Sequence, residues 1–81
     1  MLVPLYGFLK GDTVGLLVLV QDDDTVADIA ASLQQAAACR VAPQPVARVF
    51  SEGRELDPAL TLVQAGLQPL DRIDVETEPL A

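Results

Sequence analysis

The side chains that could do chemistry are few in kind. The chain has twelve carboxylates, five cationic side chains, no histidine and one cysteine in 81 residues. Without histidine, the usual general base near neutral pH and the commonest metal ligand are both missing. Cys39 has no base beside it in the sequence, and a free cysteine usually packs as a small hydrophobe. It reads as a half-buried residue at a helix end. Three carboxylates run together at Asp22-Asp23-Asp24. As a calcium loop this would need a glycine and a terminal glutamate at set spacings, and neither follows. The run reads instead as a solvated loop whose charge suits the N-terminal end of the next helix. Arg40 and Arg48 read as solvated, with stems lying over apolar surface. There is no phosphate-cradling loop and no nucleophile elbow. The expectation is a non-enzyme, with no catalytic residue, no metal and no cofactor.

Composition narrows the partners. The net charge is −7, which disfavours nucleic acid and anionic membrane, since both need a basic footprint. No apolar run approaches the roughly 20 residues of a membrane span. The start lacks the basic residues and cleavage site of a signal peptide, so the expected location is cytoplasmic. One cysteine cannot form an internal disulfide, which agrees with a reducing compartment. A chain of this length makes one domain, residues 1–81, with a small core that is feasible but marginal.

One stretch organises the rest. Asp24 to Ala38 reads D-T-V-A-D-I-A-A-S-L-Q-Q-A-A-A. Thr25 is a suitable N-cap, and Asp28 three residues later makes a shortened capping box. Val26, Ile29, Ala30, Leu33 and Ala37 fall at helical spacing on one side, leaving Asp28, Ser32, Gln34 and Gln35 on the other. The helix should end near Cys39-Arg40, because Pro43 and Pro45 disfavour helix before them. Ahead of it, the apolar runs Leu2–Leu9 and Val14–Val20 flank Lys10-Gly11-Asp12-Thr13, a hairpin signal. Behind it come a strand at Val46–Phe50, a turn at Ser51-Glu52-Gly53-Arg54 and a very short strand at Leu56. Thr61 can cap a helical turn over Leu62–Ala65, stopped by Gly66. Pro69-Leu70-Asp71 turns the chain into a last strand, Arg72–Thr77. The tail from Glu78 is frayed over residues 79–81. The order is β-β-α-β-β-(short helix)-β. This is an α+β arrangement, a mixed five-stranded sheet with one main helix and a short helical turn.

Strand pleat assigns the faces. Val14, Leu16, Val18 and Val20 go inward, with Val3, Leu5, Leu9, Ile73 and Val75 beside them. Ile29 and Leu33 pack on this row, and Val49, Leu56, Leu62 and Leu67 close the core. Tyr6, Phe8, Leu17, Leu19 and Phe50 are then left on the outer face, with Asp74 and Glu76. A solvated sheet face should be polar, so five large apolar groups there mark a partner surface. A slip of one residue in register would exchange the faces and return some of these to the core.

The order of elements is that of the β-grasp, and the chain resembles ubiquitin. The D-T-V-x-x-I segment (Asp24–Ile29), the Val41-Ala42-Pro43 loop and the series from Gly53 to Val75 carry this likeness. The chain lacks a terminal Gly-Gly, which argues against a conjugated modifier or a sulfur carrier. Within that group it most resembles the ubiquitin-like gamma subunit (system protein B) of bacterial toluene/aromatic monooxygenase hydroxylases. Val3-Pro4-Leu5, the run C-R-V-A-P-Q-P-V-A-R-V (Cys39–Val49) and L-T-L-V-Q-A-G-L-Q-P-L-D-R-I-D-V (Leu60–Val75) carry that resemblance. It implies a non-catalytic accessory subunit that docks on a large subunit holding the diiron site, where the arene is oxidised. The isolated chain would then be able to pair its own exposed face. The alternative is the small ubiquitin-like component of a type VII secretion system, with a similar G-L-x-x-x-D-x-I ending, or another ubiquitin-like binding module.

Overall fold

A computed structural model describes residues 2–12 and 15–79. Five strands and one helix follow each other as β1 (Leu2–Leu9), β2 (Gly15–Gln21), α1 (Val26–Ala36), β3 (Val46–Ser51), β4 (Arg54–Glu55) and β5 (Arg72–Glu78). The sheet order is β2-β1-β5-β3-β4. β1 and β5 run parallel at its centre, and the other neighbours are antiparallel. Central parallel strands need a long crossover, and α1 with the segments after it supplies one.

α1 begins where its cap predicts. The Asp28 amide donates to Thr25 Oγ1 (3.2 Å), and the Thr25 amide donates to Asp28 Oδ2 (3.1 Å). Aspartate thus closes a complete capping box. The helix stops earlier than its sequence suggests, with Ala37 as C-cap. The Arg40 and Val41 amides both donate to Ala37 O (2.9 Å each). The chain has therefore left helical geometry before either proline.

The register agrees with the face assignment. Val3, Leu5, Leu9, Val18, Val20, Val49, Ile73 and Val75 point under the helix, where Val26, Ile29, Ala30, Leu33 and Ala37 meet them. Leu56, Leu62 and Leu67 close the open side, and Leu16 is partly buried against the same core. Val14 lies outside the described residues. Gly7 is buried too: a Cβ there would stand 2.7 Å from Leu33 Cδ1. The helix can approach β1 this closely only over a glycine.

Several expectations need correction. Gln34, placed on the polar side of the helix, is buried at 8% exposure. Its Nε2 donates to Gln44 O (3.1 Å), and its Oε1 accepts from the Gln44 amide (2.7 Å). A side-chain amide can pair with both the N–H and the C=O of one residue, so it pins the proline loop to α1. Replacing Gln34 by alanine removes the partner of both the Gln44 N–H and its C=O. The expected loss is about 1–3 kcal/mol, measured by urea denaturation; a loss below about 0.5 kcal/mol, the range of exposed sites, would contradict it.

Leu56 follows β4 rather than forming it. The segment after Thr61 is a capped turn. The Gln64 amide donates to Thr61 Oγ1 (3.2 Å) and the Thr61 amide to Gln64 Oε1 (3.0 Å). Gly66 ends it at φ 77°. Glu78 pairs with Val46 and belongs to β5, not to a tail. Leu80 and Ala81 lie outside the described residues.

Candidate partner interface

The outer face of the sheet divides into two halves. On β1 and β2, Tyr6 stands opposite Leu17 and Pro4 opposite Leu19. Tyr6 is 44% exposed, Leu17 55% and Leu19 60%. Leu2, at the lower end of the same row, is exposed as well. Pro4, Tyr6, Leu17 and Leu19 make this strip apolar, with Gln21 opposite Leu2 at one end and Arg72 beside Tyr6 at its border. Water contact over it is unfavourable in proportion to its area.

The other half is charged. Phe8, Asp74, Phe50 and Glu55 lie side by side across β1, β5, β3 and β4. Phe8 and Phe50 were expected on this face, and they are there, but each is half-covered. The Arg72 guanidinium lies 4.1 Å from the Phe8 ring centroid and donates to Asp74 Oδ1 (3.0 Å). Arg48 lies 5.3 Å from the Phe50 centroid and donates to Glu55 Oε1 (2.8 Å). The Phe8 ring also lies over Gly15, where a Cβ would stand 2.6 Å from its Cε1. Both rings thus carry a cation on one face. Of the five named residues, Tyr6, Leu17 and Leu19 are bare, and Phe8 and Phe50 are partly enclosed.

Arginines read as solvated prove to be paired. Arg48 holds Glu55 by two hydrogen bonds, which lower the Glu55 carboxyl pKa from its ordinary value. A group with a depressed folded pKa contributes stability above its unfolded pKa and loses it as pH falls through the folded one. In an NMR titration Glu55 is therefore expected to protonate below an ordinary glutamate. Arg48→Gln should move it back up, and an unmoved midpoint would show that the pair is not formed in solution.

Arg40 donates from Nε and Nη2 to Asp12 (3.0 and 2.9 Å). The Asp12 side chain is 2% exposed, so this pair ties the β1–β2 turn to the end of α1. Cys39, expected half-buried, is exposed beside it. The helix has already ended at Ala37, so the residues after it no longer face the core.

Among the described residues no three His, Cys, Asp or Glu side chains gather to hold a metal, and no helix is long and apolar enough to cross a membrane. A concavity, missed in the sequence, lies between α1 and β3. It holds about 450 Å³ and is lined by Ala27, Ala31, Ala47, Val49 and Leu56 among others. Small helix residues leave this space open, and only the packing of α1 against β3 brings them together.

A five-stranded mixed sheet with a single helix across one face is the ubiquitin-like fold. Solved structures agree. The archaeal ubiquitin of Caldiarchaeum subterraneum superposes with a TM-score of 0.76 at 20% identity, covering 100% of this chain and 99% of that one. A ubiquitin-based design gives 0.78 at 24% identity, with 99% and 93% covered. A chain of the toluene 4-monooxygenase HD complex with the inhibitor 4-bromobenzoate gives 0.88 at 27% identity, with 96% and 100% covered. No curated protein matches the sequence. Residues 2–76 match the family of toluene-4-monooxygenase system protein B (TmoB), and the chain belongs to that family. System protein B is a component of the monooxygenase system and not its catalytic subunit.

Proposed function

We propose that this chain is a non-catalytic accessory subunit of a multicomponent diiron aromatic monooxygenase. It docks by the outer face of its sheet onto the large hydroxylase subunit, in the cytoplasm. The observation that carries the docking face is the strip of Tyr6, Leu17 and Leu19, bare on a sheet whose other face packs against α1. Membership of the system protein B family and the likeness to a chain of a toluene 4-monooxygenase complex support the assignment of the system. They favour it over a secretion component. Phe8 and Phe50 contribute at the rim of the strip, each already braced by an arginine. Alone at high concentration, the chain pairs this face with a second copy.

Co-purification tests the reading. The tagged chain is co-expressed with the large diiron hydroxylase subunit, as wild type and as a Tyr6→Ala/Leu17→Ala variant. Wild type is expected to retain the large subunit and the variant to lose most of it. Equal retention would sink the docking face, and no retention by either would sink the subunit assignment.

A further inference from the structure

The groove between α1 and β3 lies where the sheet is incomplete. β4 pairs with β3 only at Phe50 and Ser51. Beyond them the Leu56 amide donates to Val49 O (2.8 Å). The chain then leaves for the start of α1, where the Ala27 amide donates to Pro58 O (3.1 Å). Val46, Ala47 and Arg48 therefore have β5 on one side and no strand on the other.

Ladder geometry says which backbone groups are left open. Val75 O accepts from the Lys10 amide (2.8 Å), so Val75 turns its polar groups toward β1 and away from β3. Val49, its partner across the β3–β5 ladder, then turns its own away from β5, and so does Ala47 two residues back. The Ala47 N–H and C=O and the Val49 N–H point to the open side. None has a partner among the described hydrogen bonds outside the strand ladders. An exposed row of this kind is a template for one more strand.

The surroundings specify that strand further. Inward of the edge lies the groove, floored by Ala27, Ala30, Ala31 and Ala47, which has room for an apolar side chain. Outward, Arg48 stands opposite Glu76 across the ladder, Val46 stands opposite Glu78, and Glu55 is paired to Arg48. Lys10 also lies 3.3 Å from Glu76, so three carboxylates stand among two cations on the outer face beside β3.

We propose that the open edge of β3 takes up an extended segment of a partner protein, adding it as a strand, in which apolar residues facing the α1–β3 groove alternate with basic residues facing outward. Backbone hydrogen bonds to Ala47 and Val49 hold the segment in register. The groove selects the apolar positions, and Glu55, Glu76 and Glu78 select the basic ones. The groove and the open edge lie apart from the strip of Tyr6, Leu17 and Leu19, while the outward carboxylates share its sheet face.

The test uses the isotope-labelled full chain and the capped peptide Val-Lys-Val-Arg-Val. Saturable NMR shifts are expected at Ala27, Ala31, Ala47 and Val49, with slowed exchange of the Ala47 amide. A peptide with glutamate in place of lysine and arginine should bind about tenfold more weakly or worse. Proline at the central valine, which removes a ladder donor, should weaken it similarly. Ala31→Phe, at an exposed helix position, fills the groove without touching the core and should abolish the shifts. Tyr6→Ala should leave them unchanged. Absence of saturation at millimolar peptide would overturn the proposal. So would shifts centred on Tyr6, Leu17 and Leu19, or equal binding of the acidic peptide.

Discussion

Leu33→Ala is expected to cost about 2–5 kcal/mol of stability. Leu33 is 0% exposed at the centre of the core, so its removal leaves a cavity that rigid neighbours cannot fill. Its contact with Gly7 makes the prediction sharper. A methyl at Gly7 would stand 2.7 and 2.9 Å from the two Leu33 Cδ atoms. Leu33 has no free space to retreat into, so Gly7→Ala alone should cost about 1–3 kcal/mol by overpacking. Combined, the two changes share one volume: the new methyl enters the space that leucine vacates. The double variant should therefore lose at least 0.5 kcal/mol less than the sum of the single losses, within the about 0.5–3 kcal/mol coupling of residues in contact. Urea denaturation of the four proteins measures it. Simple additivity would show that the helix does not rest on β1 at Gly7.

Tyr6→Ala should weaken association with the large hydroxylase subunit by about 2 kcal/mol or more, or roughly thirtyfold. The motivation is position: Tyr6 sits mid-strip, beside Leu17 across the ladder. Leu17→Ala and Leu19→Ala should each cost less, since an aromatic ring carries more contact area at low entropy cost. Changing Asp22 and Asp23 to asparagine should mainly alter the on-rate and its salt dependence, as peripheral charges do. Calorimetry on the purified pair reads the first effect, and kinetics at two salt concentrations reads the second. Tyr6→Ala should also unfold at nearly the wild-type midpoint, because the ring is 44% exposed. A variant that binds normally removes the strip from the interface. One that binds weakly only because it is unfolded would show in the same denaturation curve.

The fold was legible because short-range signals agreed with one another. Thr25 with Asp28 marked the start of α1, and the spacing of Val26, Ile29, Ala30, Leu33 and Ala37 gave its buried side, as found. Alternation in β1 and β2 fixed which residues face the helix, because the pleat has a period of two. The same alternation left Tyr6, Leu17 and Leu19 outside, where the structure places them. Errors fell where a partner distant in sequence decides. Gln34 looks like a solvated helix residue until Gln44 arrives beside it. Cys39 looks helical until the chain turns after Ala37 and Arg40 reaches back to Asp12.

Local sequence thus determined the element order, the core and the two faces of the sheet, since each depends on period and on residues within a turn of one another. Only the tertiary structure decided how the remaining polar groups are used. It set Arg40 on a nearly buried Asp12 and put Arg48 and Arg72 over Phe50 and Phe8. It also stopped β4 after two residues, so that β3 keeps an open edge beside a groove of alanines. Side-chain pairing and edge exposure depend on which strands become neighbours. That is a property of the packed sheet and of no single segment.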